Sequence, residues 1–166
     1  MKTIPAILTA LALVPACALA QQAPAAAPDL LSQAALTDVA SKPASMASYH
    51  GKPLIINFWA RWCGPCRTEI PDIVAEYPQA QTAGVQVVGI ALDDKPDAVR
   101  DFAKAYDISY PVLVLKNGPQ VLQQLGNPEA GLPYTLVIDR NGAIVTKKLG
   151  AMSRAEWAAA VQAAGK

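Results

Sequence analysis

Two cysteines in the run Trp62-Cys63-Gly64-Pro65-Cys66 are the residues of this chain best suited to chemistry. They follow the apolar stretch Leu54-Ile55-Ile56-Asn57-Phe58-Trp59 and open a predicted helix. Residues three apart on a helix share a face, so the two sulfurs can close a small disulfide ring with little backbone change, and such a ring is easily reopened. The helix N-terminus offers unpaired N–H groups and a partial positive charge, which favour the thiolate of Cys63 over its thiol. Cys63 is therefore the expected nucleophile. Cys66, one turn into the helix, is expected to be more buried and to act as the resolving thiol. Pro65 falls where its missing N–H costs nothing, and Gly64 leaves room for another backbone to approach the sulfur.

The bland alternatives are a structural disulfide and half of a zinc site. A loop this short stabilises the fold by roughly 2 kcal/mol in the chain-entropy treatment, against about 3 kcal/mol for a 15-residue loop, so it is a weak staple. A structural zinc site takes four ligands, and beyond the pair the chain offers only Cys17 and the lone His50. No metal is expected, and no cofactor beyond the redox disulfide itself.

The elements that must position the pair can be read from the flanking pattern. Leu54 to Trp59 is apolar on both faces, as in a buried parallel strand, and is expected at the centre of the sheet. The helix from Cys63 is expected to run to about Ala80 with a kink at Pro71. Val85 to Ala91 reads as a second buried strand, and Pro96 to Tyr106 as a helix with an N1 proline and Asp93 or Asp94 as cap. Strand, helix, strand, helix implies a parallel βαβ unit. Ala35 to Ala40 is a short edge strand or helical turn, and Lys42 to Lys52 a loop or hairpin ending at Gly51. Val112 to Leu115 is a further strand, followed by Gly118-Pro119 and a short helix through Leu125. Tyr134 to Ile138 and Ile144 to Leu149 flank Asp139-Arg140-Asn141-Gly142, an Asn-Gly hairpin signal that makes them antiparallel. Ser153 and Glu156 form a capping-box pattern ahead of a closing helix that carries Trp157.

Outside that domain, Met1-Lys2, the apolar stretch Ala6 to Val14 and the small-residue site Ala18-Leu19-Ala20 have the three parts of a secretory signal peptide. The stretch is short for a membrane span. Residues 1–20 are thus read as a leader, 21–29 as an Ala/Pro/Gln-rich tether, and 30–166 as one domain with a core of ordinary size. Two further readings of the start are a lipid anchor through Cys17 and an uncleaved N-terminal anchor; soluble export is preferred because Pro15 fits a lipoprotein signal poorly. All three place the domain in an oxidising, extracytoplasmic compartment. Loss of Lys2 with the leader takes the formal charge from +1 to zero, and without a basic patch no nucleic-acid partner is expected. A protein or small thiol is the better partner.

The chain also resembles the thioredoxin superfamily, and within it the exported TlpA/ResA-like thiol-disulfide oxidoreductases. The resemblance lies in Asn57-Phe58-Trp59-Ala60-Arg61-Trp62-Cys63-Gly64-Pro65-Cys66-Arg67, in Glu69 and Pro71 after it, in Gly131-Leu132-Pro133-Tyr134-Thr135, and in Asp139-Arg140-Asn141-Gly142. The stretch from Val88 to Val112 resembles the strand and helix that this branch inserts. Together these cover roughly Leu30 to Lys166. The resemblance implies an α/β thioredoxin fold, a central mixed β-sheet flanked by helices with an inserted strand-helix element. It implies a cis Pro133 beside the sulfurs, with Leu132 offering backbone groups to a substrate strand. Many cytoplasmic relatives carry a buried aspartate where this chain has Asn57, so that proton acceptor is absent. Glu69 is implied as the carboxyl that moves a proton to or from the buried thiol, its neutral form favoured by burial. Among the remaining residues, Trp62 is a candidate docking contact, Trp59 a core residue, His50 a loop residue, and Lys147-Lys148 a polar strand end.

These expectations combine into an enzyme that reduces protein disulfides outside the cytoplasm, recharged by a membrane thiol donor. By resemblance, cytochrome c or copper-centre assembly are among its pathways. The alternatives are a disulfide-donating oxidase and a copper-binding chaperone using the same pair. Gly64-Pro65 between the cysteines resembles the reducing members, whereas a histidine there would stabilise the reduced form and make an oxidase.

Overall fold

The computed structural model describes residue 31 and residues 34–92 and 95–166; the expected leader and tether, and Asp93 and Asp94, lie outside the described residues. Seven strands form one mixed sheet: β1 (Leu36–Asp38), β2 (Pro43–Ala44), β3 (Leu54–Trp59), β4 (Gln86–Ala91), β5 (Val112–Leu115), β6 (Tyr134–Ile138) and β7 (Ile144–Leu149). Their order across the sheet is β2-β1-β5-β4-β3-β6-β7. Among the described residues from 34 onward four α-helices accompany them: α1 (Gly64–Thr82), α2 (Pro96–Ala105), α3 (Gly118–Gln124) and α4 (Arg154–Ala164).

β3 and β4 pair in parallel, as do β4 and β5, whereas β3 and β6 are antiparallel. The βαβ unit is therefore present, and the fold is the mixed α/β thioredoxin-like arrangement. The middle strand of the seven is β4, with β3 beside it; the expectation that β3 lies at the centre is off by one place, because β1 and β2 extend the sheet beyond β5. β3 is buried at every residue. Its alternate side chains point to opposite faces. Leu54, Ile56 and Phe58 pack with Val88, Ile90, Leu136 and the α3 residue Leu122. Ile55 packs on the other face with Ile73 of α1 and Trp157 and Val161 of α4. Trp59 joins Cys63, Cys66, Ile70 and the α2 residue Val99 at the end of the sheet. The sandwich thus holds the C-terminal end of β3, and the turn into α1, rigidly from both sides.

α1 is one uninterrupted helix across Pro71 and also Pro78. The missing N–H groups cost the helix single bonds and do not end it. α2 starts at Pro96, but its N-cap is Lys95, whose side chain makes no capping bond. The expected caps, Asp93 and Asp94, lie outside the described residues. The capping box at α4 forms in both directions: Ser153 Oγ accepts from the Glu156 N–H at 3.4 Å, and Glu156 Oε2 accepts from the Ser153 N–H at 2.8 Å. In the hairpin, Gly142 takes φ +82°, a conformation glycine adopts without a Cβ penalty. Asp139 Oδ1 accepts from the Asn141 and Ala143 N–H groups at 2.8 and 2.9 Å.

Candidate active site

The strand-to-helix turn places Cys63 as the N-cap of α1, in extended backbone, with Pro65 in the first turn. Cys63 and Cys66 are joined as a disulfide with Cα atoms 5.3 Å apart. The Cys63 sulfur accepts from the Cys66 N–H at 3.2 Å. When the bond is reduced, that donor and the positive end of a 19-residue helix face the same sulfur. Cys66 is fully buried and Cys63 is 5% exposed, so of the pair only Cys63 keeps any exposure. Gly64 and Pro65 are exposed beside it, and Trp62 is 72% exposed, the most open large apolar side chain among the described residues.

The Leu132–Pro133 peptide is cis. Pro133 is buried, and Leu132 packs against the cluster that contains both cysteines. β6 pairing with β3 delivers the loop there, since Tyr134 and Thr135 stand opposite Phe58 and Asn57.

Glu69, 1% exposed, lies on α1 three residues after Cys66. Its carboxyl is held by three donors from three places in the chain. Oε1 accepts from the Met152 N–H at 2.8 Å and from Trp157 Nε1 at 3.2 Å; Oε2 accepts from Asn57 Nδ2 at 3.1 Å. Asn57 Nδ2 also donates to Thr135 Oγ1 at 3.0 Å, while Asn57 Oδ1 is buried without a partner among the described residues. Burial pushes the Glu69 pKa up, and the three donors oppose it without cancelling it. Glu69 is thus a carboxyl whose neutral form persists above the ordinary carboxylate range. Tyr110, buried nearby, has its phenol pushed up by burial and then by the Glu69 charge.

An aromatic file extends from the site into α2. Trp59 stacks on Phe102 at 5.2 Å and Phe102 on Tyr106 at 4.2 Å, and Tyr106 Oη bonds Arg67 Nε on α1 at 2.7 Å. Trp59 is a core residue, as its sequence setting implies, and His50 is exposed after the 3-10 turn Ala47–Tyr49. Lys147 is more than a polar strand end. Its Nζ donates to the Leu125 carbonyl at 3.0 Å, tying β7 to the end of α3. Lys148 pairs with Glu156 at 3.0 Å on the surface.

Several residues around the site escape sequence reasoning. Met152 contributes a backbone N–H, which no side-chain pattern reports. Trp157 reads only as a core residue of an amphipathic helix. Thr135 and Asn57 meet through strand register, and Asn127 closes the cis-proline loop through bonds to Gly131. The Asn127-Pro128 pair is the one such signal, since it marks a turn. Among the described residues no group of three or more His, Cys, Asp or Glu could hold a metal ion, and no helix is long and apolar enough to cross a membrane.

Comparison with known proteins places this geometry. The AhpC/TSA family profile matches residues 24–147. A thiol-disulfide oxidoreductase ResA from Bacillus thuringiensis subsp. konkukian (strain 97-27) is 30% identical over 119 residues, 72% of this chain and 67% of the relative. The crystal structure of a thioredoxin-family thiol:disulfide interchange protein from Chlorobium tepidum TLS superposes with TM-score 0.70 at 32% identity, covering 89% of this chain and 100% of that one. A secreted disulfide oxidoreductase of Mycobacterium tuberculosis, described as homologous to E. coli DsbE, superposes with TM-score 0.67 at 26% identity, covering 81% and 97%. With the paired sulfurs at the head of α1 and likeness over most of its length, the chain belongs to the AhpC/TSA family of the thioredoxin superfamily and is a thiol-disulfide oxidoreductase of the ResA/DsbE type.

Proposed function

We propose that the protein is an exported protein-disulfide reductase. The observation that supports this most directly is the inequality of the two cysteines: Cys63 sits at a helix N-cap and keeps some exposure, and Cys66 is fully buried. The Cys63 thiolate attacks one sulfur of a substrate disulfide. That bond breaks, its second sulfur leaves as a thiolate that takes up a proton, and a mixed disulfide forms. Cys66 gives up its proton, attacks the Cys63 sulfur and releases the second substrate thiol. Two electrons have then passed to substrate, and the enzyme is oxidised, the state the structure records.

Cys66 loses its proton in a buried setting, and Glu69, three residues along the same helix with its pKa raised by burial, is the proposed acceptor. The substrate strand pairs with the Leu132 backbone beside Pro133, while Trp62, Gly64 and Pro65 form the rim on which it rests. A membrane thiol donor returns the electrons. The leader-like residues 1–20 support an extracytoplasmic site, with Cys17 as the atom of attachment if the start is lipid-modified. Resemblance to the TlpA/ResA branch supports cytochrome c or copper-centre assembly as the service performed, because both need target cysteines kept reduced.

The reduction potential of the Cys63–Cys66 pair, equilibrated against thiol buffers, tests the direction. Reductases of this fold lie near about −270 mV and strong oxidases near about −120 mV, and each 30 mV is about 1.4 kcal/mol. The Gly64-Pro65 spacer places no imidazole beside the thiolate, so a value below about −220 mV is expected. A value near the oxidase end overturns the direction of electron flow. Stoichiometric retention of Cu(I) by the reduced protein against a competing chelator would favour the chaperone instead.

A further inference from the structure

The loop between α3 and β6 is closed by a side chain. Asn127, 3% exposed, donates Nδ2–H to the Gly131 carbonyl at 2.8 Å and accepts the Gly131 N–H on Oδ1 at 3.2 Å. One amide thereby satisfies both backbone groups of Gly131, as a neighbouring strand would. On the far side, Pro133 has no N–H, and its carbonyl accepts the Gly150 N–H at 2.9 Å. Between these two occupied residues lies Leu132, whose backbone N–H and carbonyl have no partner among the described residues.

The bracket itself is anchored. The Asn127 N–H returns to the Leu122 carbonyl at 2.9 Å, and Gln123 Nε2 donates to the Pro128 carbonyl at 3.2 Å. The Leu125 carbonyl accepts both Tyr134 Oη–H and Lys147 Nζ at 3.0 Å. Leu149 covers Gly131, since a Cβ there would stand 3.0 Å from its Cδ1. A glycine, the residue with most backbone freedom to lose, is thus immobilised immediately before the residue that is left open.

We propose that Asn127 is a positioning residue for substrate: its bracket on Gly131 leaves Leu132 as the one residue next to Pro133 with both backbone groups open to a substrate strand, and so fixes the register of that strand against Cys63. The inference rests on the reading of Leu132 as a strand partner and goes beyond it. One loop residue can exchange bonds with one short backbone segment, so the substrate's reactive cysteine is delivered at one distance from the nucleophile. Pre-ordering Leu132 lowers the ordering cost on binding.

The test uses peptide disulfides carrying an N-methyl group at successive backbone amides around the cystine, assayed with the full domain. In the parent, kcat/KM is expected to fall about tenfold at one amide only, the donor to the Leu132 carbonyl. In Asn127→Ala, KM for the unmethylated peptide is expected to rise about tenfold with kcat within about twofold, and the single-amide discrimination to collapse. The rate with a small aromatic disulfide and the potential of the pair are expected to stay at parent values. Asn127→Asp keeps the acceptor for Gly131 N–H but turns a second oxygen on the Gly131 carbonyl, so its KM should rise at least as far as the alanine variant's; it carries the test if the alanine variant does not fold. A parent insensitive to every methylation overturns strand pairing at Leu132. A parent sensitive at one amide, with variants that retain its KM and its discrimination, overturns the role of Asn127 alone. Equal losses with peptide and small disulfide also overturn it, because they mark a general loosening of the site.

Discussion

Replacing Glu69 by glutamine and by alanine separates the two things its carboxyl supplies, a set of acceptor atoms and a charge. Alanine takes the acceptor from the Met152 N–H, from Trp157 Nε1 and from one of the two Asn57 Nδ2 hydrogens, the other staying on Thr135 Oγ1, in a site sealed from water. At about 1 kcal/mol or more for each stranded donor, and with a cavity added, the loss comes to roughly 4 kcal/mol. Glutamine can keep its oxygen under Met152 and Trp157, which puts its NH2 against Asn57. That meeting of two donors is relieved if the Asn57 amide turns over. Its Oδ1, now without a partner, would accept from the new NH2, and the Thr135 hydroxyl would donate where it now accepts. The turned amide strands its own NH2 where Oδ1 now lies, so Glu69→Gln should cost about 1–3 kcal/mol near neutral pH, less than alanine because no cavity opens and Met152 and Trp157 keep their acceptor.

The pH dependence carries its own sign. Burial raises the Glu69 pKa in the folded protein above its unfolded value, so the folded state holds the proton more tightly. The associated stability is fully present below the unfolded pKa and is lost as pH rises through the folded one. The glutamine variant has no such proton to lose. Urea unfolding of the oxidised protein from about pH 4 to about pH 8 should show the parent's advantage over Glu69→Gln largest in acid and shrinking as pH rises past the ordinary carboxylate range. A parent advantage that grows with pH would refute the direction of the shift. A glutamine variant as unstable as the alanine variant at every pH would show that the site needs the negative charge itself and that Asn57 does not turn.

Asn57→Asp places a second carboxyl about 3 Å from Glu69 Oε2, where the pair must share a proton; its unfolding midpoint is expected to fall more steeply than the parent's above neutral pH, and an unchanged slope would contradict the contact. Gly89→Ala sets a Cβ 2.8 Å from Trp59 Nε1 and 2.9 Å from Tyr110 Cε2, two buried rings with little room to move, so denaturant unfolding should register a loss of about 1–3 kcal/mol with the m-value unchanged. Glu156 is exposed, and its carboxyl is lowered to about 2 by the Ser153 N–H first and then by Lys148. Its contribution is present above the ordinary carboxylate range and disappears as pH falls toward that value. Glu156→Gln should flatten the acid limb of a thermal-midpoint profile, and a parallel limb would contradict the bond.

The reactive pair was legible because its chemistry is local. A strand, a turn and a helix start specify Cys63 and Cys66 within a dozen residues, and the proposed order of attack follows from which cysteine caps the helix. The β6–β7 hairpin and the box at α4 were legible for the same reason, since Asn141-Gly142 and Ser153 with Glu156 satisfy their own backbones. The position of β3 was not, because sheet order depends on β1 adding outside β5, a long-range choice with only three paired residues behind it. Lys147 reads as a surface lysine until the end of α3 is brought beneath it.

The surroundings of Glu69 show why a site can be half visible. Its position six residues after Cys63 is written in the helix, whereas its donors come from β3, from the turn before α4 and from α4 itself, residues that are 12, 83 and 88 positions away. Two of those are a backbone N–H and the edge of a core tryptophan, types that would serve equally well elsewhere. What the sequence does constrain is the third. A titrating aspartate at 57 would compete with Glu69 for one proton, whereas an asparagine can present either end of its amide and so suits Glu69 in both protonation states. Glu69, three residues after Cys66, thus has an adaptable partner, which suits the role of proton acceptor proposed for it, since such a group must charge and discharge within a packed core.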